Sequence, residues 1–120
     1  MTAKEFYEIT NGNYQNALNT MMNDDFIKRM LSKFAQNNAV GELLEAYDNK
    51  DYQKVFVAAH SLKGVAGNLA LTGLYNKVIP IVEGTRNAEA NSSINIDNEI
   101  NDFRNEYNRL MTQLEIFLRS

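Results

Sequence analysis

The chain contains no cysteine, one histidine and one proline in 120 residues, and each scarcity removes a class of chemistry. Without thiols there is neither a disulfide framework nor a thiolate metal site. A single histidine rules out most zinc geometries, which call for several His or Cys ligands. A net charge of −3 and a pI near 5.1 exclude the basic stripe of a nucleic-acid surface. No apolar run approaches the roughly 20 residues of a membrane span, and the amino-terminal stretch lacks the apolar core of a signal peptide. The expected compartment is therefore the cytoplasm, with no membrane or nucleic-acid partner. The sequence has no GxxxxGK[ST] loop and no GxGxxG turn, hence no evident nucleotide site.

What remains is ordinary for a globular domain: 44% hydrophobic and 22% charged residues, enough for one modest core in a single domain over 1–120. Strand-like alternation is scarce and only Pro80 interrupts the chain, so the fold class is all-α. A short helix follows Thr2 as its cap and ends at TNGN (10–13); YQNALNTMM adds another turn or two. Phe26, Ile27, Met30, Leu31 and Phe34 then repeat at three- and four-residue spacing behind Asn23 or Asp24. Val40, Leu43, Leu44 and Tyr47 continue that pattern past Asn37-Asn38, as one kinked helix or as two. Met21-Met22 is a candidate adaptable surface, with core or filler as the competing reading.

NKD (49–51) caps the helix that carries His60. ALTG (70–73) marks a weak boundary, and Pro80 is expected to kink the next helix or open a new first turn. Residues 87–95 are polar and aperiodic, which predicts a loop. The last helix starts near Asp97, with Ile100, Phe103, Tyr107, Leu110, Leu114 and Phe117 on one face. Phe26, Phe34, Phe103 and Tyr107 are assigned to the core. The sum is an antiparallel four-helix bundle, its core roughly 23–118, with one or two short extra helices at the amino end.

AAHSLKGVAGNL (59–70) holds the unusual feature. Gly64 and Gly67 each cost roughly 1 kcal/mol against alanine in a helix interior. The apolar stripe Tyr52, Val55, Phe56, Ala59, Leu62, Ala66 and Leu69 centres about 140° from His60 at 100° per residue. His60 thus faces away from the core, with Phe56 one turn before, Lys63 and Gly64 one turn after, and Gly67 two turns after. A neutral imidazole is a competent nucleophile, and Lys63 at i+3 offsets charge on a phosphoryl group. Protonation removes the attacking lone pair, so transfer to His60 falls as the pH drops. The glycines clear the surface for a partner, though Gly67 also fits a close helix–helix contact. Arg86 also fits a plain surface charge near a helix end.

AHSLKGVAGNL closely resembles the H-x-L-K-G motif of histidine-containing phosphotransfer (HPt) domains. The preceding MMNDDFIKRMLSKFAQNNAVGELLEAYDNKDYQKVF and the final helix extend the resemblance over roughly residues 13–118. It implies that His60 is the phosphoacceptor through Nε2 and that Lys63 neutralises the phosphoryl oxygens. It further implies that Gly64 keeps space beside the ring, that Gly67 belongs to a docking face, and that Arg86 is a basic residue near the phosphoryl site; Phe56, from its place beside the histidine face, is a candidate docking contact. Partners would be receiver domains of response regulators or hybrid kinases. The chain itself would need no cofactor, Mg²⁺ being held by the receiver, and would act as a monomeric phosphoryl carrier without kinase activity. The alternatives are a phosphoacceptor module of a larger chemotaxis-type histidine kinase and a non-catalytic receiver-binding helical adaptor. Departures from the family pattern are Ala70, where glycine is frequent, Glu83, displaced by one from the usual Leu-Glu pair, and Pro80.

Overall fold

The computed structural model describes residues 1–89 and 93–120. Among these are seven helices and no strand: α1 (Ala3–Ile9), α2 (Tyr14–Met21), α3 (Asp24–Gln36), α4 (Ala39–Asp48), α5 (Tyr52–Asn68), α6 (Thr72–Thr85) and α7 (Asp97–Arg119). The all-helical expectation holds. Residues 90–92 of the expected 87–95 loop lie outside the described residues.

Small polar side chains start the helices by accepting from free N–H groups of the first turn. Thr2 and Glu5 form a reciprocal capping box, each side chain accepting from the other's backbone N–H at 3.1 and 3.0 Å. Asn23 accepts from the Phe26 N–H at 2.8 Å, and Asp51 from the Lys54 N–H at 3.3 Å. Asn37 decides the question left open at Asn37-Asn38. Its backbone is extended (φ −75°, ψ 135°), which ends α3, and its side chain accepts from the Ala39 N–H at 2.7 Å, which opens α4.

α3 and α4 together run antiparallel to α7. Lys28 of α3 donates to the Ser120 carbonyl at 2.8 Å. At the other end, the Tyr47 hydroxyl donates to the Asp97 carboxylate and Arg104 faces Asp48 at 3.6 Å. The Asp97 bond, reinforced by burial, pushes the Tyr47 phenol up to about 12. α5 packs on α4, α6 on α5 and α7 on α6, and α7 returns to α3, which closes the four-membered bundle. Its core includes Ile27, Leu31, Leu43, Val55, Leu62, Leu74, Val78, Ile81, Phe103 and Leu114.

The two short amino-terminal helices close one end of the bundle. Phe6 and Tyr7 are fully buried; the Phe6 ring stacks on Phe117 with centroids 5.3 Å apart. The Tyr7 hydroxyl donates to the Leu69 carbonyl at 2.7 Å, and the Asn13 N–H to the Ala70 carbonyl at 3.0 Å. The chain ends meet there, with the Met1 ammonium 3.3 Å from the Ser120 hydroxyl oxygen.

One expectation is corrected and two are narrowed. Phe26 is not core: it is 37% exposed, its ring lying under the Arg29 guanidinium at 5.9 Å. The three-and-four spacing put it on the edge of the buried face held by Ile27, Leu31 and Phe34. Of the two expectations for Pro80, a new first turn does not form, for α6 runs through it. Pro80 and Asn76, whose carbonyl loses its N–H partner, are both exposed, which puts the missing bond on the solvent side of α6. The α5–α6 boundary lies at Leu69–Leu71, which overlaps the expected ALTG at Ala70 and Leu71. It is made by Ala70, whose φ of 55° is a conformation that costs an L residue roughly 1–2 kcal/mol.

Candidate functional site

α5 separates two faces by its own periodicity. Val55, Ala59, Leu62 and Ala66 are buried, while His60 is exposed and Phe56 and Lys63 are half-buried beside it. The Phe56 and His60 rings lie 5.8 Å apart at 42°, an i,i+4 contact that orients the imidazole from one side. Among the described residues no hydrogen bond engages the imidazole nitrogens. A neutral imidazole so placed presents a lone pair to an approaching electrophile.

The two glycines do different things. An added Cβ at Gly64 would meet nothing within 4 Å, so the surface one turn beyond His60 is open. At Gly67 a Cβ would make ordinary contact with the Tyr75 ring of α6, at 3.5 Å. Gly67 is exposed, and the fold does not require it to be glycine.

α6 carries Arg86, at the helix C-cap, to the same place. Its guanidinium lies over the Phe56 ring, 5.8 Å from the centroid, within cation–π range. The structure thus joins Arg86 to His60 through one shared aromatic ring. Arg86 also holds Glu83 with two hydrogen bonds, 2.7 and 3.3 Å. Those bonds and the guanidinium charge keep the Glu83 carboxyl below its ordinary range, and the Lys63 ammonium of α5 adds to the effect. The same pair raises the already high Arg86 value.

One neighbour of His60 on the helical wheel escaped the sequence reading. Val57 is 67% exposed and lies on the rim of a groove of 720 Å³ between α4 and α5, with Ser61, Ala58, Glu42 and Glu45. Its wheel position, 60° from His60 at 100° per residue, would have shown it; a valine inside a helix reads as core by habit. For Glu83 the sequence offered only its displacement from the family's Leu-Glu pair, not its partners. Its position depends on how α6 packs on α5, which no spacing within one helix contains.

Comparison with known families bears on this geometry. A family model described as the Hpt domain matches residues 29–115. The chain belongs to the Hpt family. No curated protein and no solved structure matches it significantly. Its general role is therefore histidine phosphotransfer in a phosphorelay, where Hpt domains interact with receiver domains. The Hpt match spans α4, α5 and α6 whole, with most of α3 and α7, and leaves α1 and α2 outside. Among the described residues no helix of this Hpt chain is long and apolar enough to cross a membrane.

Proposed function

We propose that His60 is the phosphoacceptor of a relay carrier, loaded by the aspartyl phosphate of one receiver domain and unloaded to the aspartate of another. The observation that carries this is the exposed imidazole on α5, with Lys63 three residues on and open space at Gly64. In the loading step the Nε2 lone pair forms a bond to phosphorus. The acyl-phosphate P–O bond breaks, and its electron pair leaves on the receiver carboxylate; unloading is the reverse toward a second carboxylate. Lys63 offsets charge on the equatorial oxygens, and Arg86 supplies a second cation across Phe56. Gly64, Gly67, Phe56 and Val57 form the face against which the receiver seats. On this reading the chain acts as a cytoplasmic monomer, and Mg²⁺ stays on the receiver side.

Mixing the protein with a phosphorylated receiver tests the proposal. Acid-labile label is expected on the wild type and not on His60→Gln; equal labelling of both overturns it.

A further inference from the structure

The Glu83–Arg86 pair contributes little to the fold. Both side chains are about half exposed, 56% and 49%, and an exposed i,i+3 pair adds little to stability. Its position is what matters. Arg86 stands between a carboxylate at 2.7 Å and the ring of Phe56, whose other neighbour is His60. Lys63, the other cation beside His60, also acts on Glu83. Glu83 is thus the carboxylate that holds Arg86 while His60 is bare, with the Lys63 charge acting on it from α5.

We infer that Glu83 tunes how strongly His60 holds its phosphoryl group: it engages Arg86 in the unloaded state and competes with the phosphoryl oxygens for Arg86 and Lys63 in the loaded one. This rests on His60 being the phosphoacceptor. A phosphoryl group brings about −1.5 to −2 charges and three acceptor oxygens, and a guanidinium favours such a partner bidentately. Arg86 therefore leaves Glu83 when His60 is loaded, and the released carboxylate repels the new anion nearby. Both effects raise the energy of phospho-His60. A carrier needs that weakness, since a group held too firmly is not handed on. Glu83 makes and breaks no bond in the transfer; it is a positioning residue acting through Arg86 and Lys63.

The test uses phosphoramidate, a small donor that needs no receiver. Its P–N bond breaks, ammonia leaves, and phosphorus bonds to the imidazole nitrogen. The loaded fraction and the lifetime of phospho-His60 are read by phosphorus NMR for the wild type, Glu83→Gln, Glu83→Asp, Arg86→Gln and the Glu83→Gln/Arg86→Gln double variant. Glu83→Gln is expected to raise the loaded-to-unloaded ratio about two- to fivefold, the reach of an exposed charge pair. Glu83→Asp, which keeps the charge, stays near the wild type, and the Gln effect shrinks in the Arg86→Gln background. The Arg86 Nε–H signal of the wild type is expected to shift on loading. An unchanged ratio in Glu83→Gln, or a change shared equally by Glu83→Asp, overturns the inference. If phosphoramidate loads His60 while a phosphorylated receiver does not, the relay reading fails and the Glu83 inference is judged on its own data.

Discussion

The Tyr7 hydroxyl reaches across sixty-two residues of chain to the carbonyl of Leu69, the residue that ends the histidine helix, at 2.7 Å in a buried site. Helices α1 and α5 are tied by this bond at the end of the bundle away from His60. The carbonyl has no water to fall back on, so the bond is worth more broken than made: a buried acceptor left alone costs about 1–3 kcal/mol.

Tyr7→Phe is accordingly expected to lower stability by about 1–3 kcal/mol, with transfer chemistry retained. At about 4 °C per kcal/mol for a domain of this size, thermal unfolding followed by circular dichroism resolves the change. The same residue governs alkaline behaviour. Burial raises the Tyr7 phenol well above its ordinary value in the fold. A value raised on folding means stability that is full below the unfolded pKa, about 10, and lost as pH rises beyond it. The wild type is therefore expected to lose stability above pH 10 more steeply than Tyr7→Phe, as shown by denaturant midpoints at stepped pH. Equal slopes would contradict it.

Ala70 adopts φ 55° while its methyl is buried. Alanine to glycine normally destabilises, by roughly 1 kcal/mol in a helix plus about 0.8 kcal/mol for a buried carbon. Ala66→Gly, in helical conformation and fully buried, is expected to show that full loss of about 2 kcal/mol. At Ala70 relief of left-handed strain offsets it, and Ala70→Gly is expected within about 0.5 kcal/mol of the wild type. Urea midpoints of the two variants make the comparison; equal losses would mean that Ala70 carries no strain.

Gly64 and Gly67 are open to side chains as far as the fold is concerned. Gly64→Ala and Gly67→Ala are each expected to stabilise the protein by about 0.5–1 kcal/mol. Gly64→Leu is expected to stay folded, to accept phosphate from phosphoramidate within about twofold of the wild type, and to slow transfer from a receiver at least about tenfold by holding the partner off. Receiver transfer at the wild-type rate in Gly64→Leu would show that the clearing beside His60 serves no partner.

Pro80 lies inside α6 on its exposed side. An interior proline costs about 3 kcal/mol against alanine, of which the stiffer unfolded chain returns up to about 1 kcal/mol. Pro80→Ala is expected to raise stability by about 2 kcal/mol and the melting temperature by roughly 8 °C. A calorimetric scan decides; an unchanged or lower value would mean that α6 has adapted its geometry to the ring.

Local chemistry made much of this legible in advance. Thr2, Asn23 and Asp51 start helices in any context where their side chains can turn back to the next free N–H groups. The exposure of His60 followed from the 100° step of a single helix. Phe26 was misplaced because periodicity names a face and not its edge. Tyr7 and Glu83 could not be placed at all: one bonds a residue sixty-two positions away, and the other owes its neighbours to the packing of α6 against α5. The seven-residue α1 is too short for its pattern to announce that Phe6 and Tyr7 are buried.

The meeting of Met1 and Ser120 also bears on how the domain can be handled. Ends that touch permit a ring closure or a circular permutation with new ends in an exposed loop, since a linker of a few residues spans the gap. They equally permit the whole bundle to be spliced into a surface loop of a host protein, entering and leaving at one point. His60 and Arg86 sit away from that point, so the bundle is a portable part whose attachment leaves its reactive face clear.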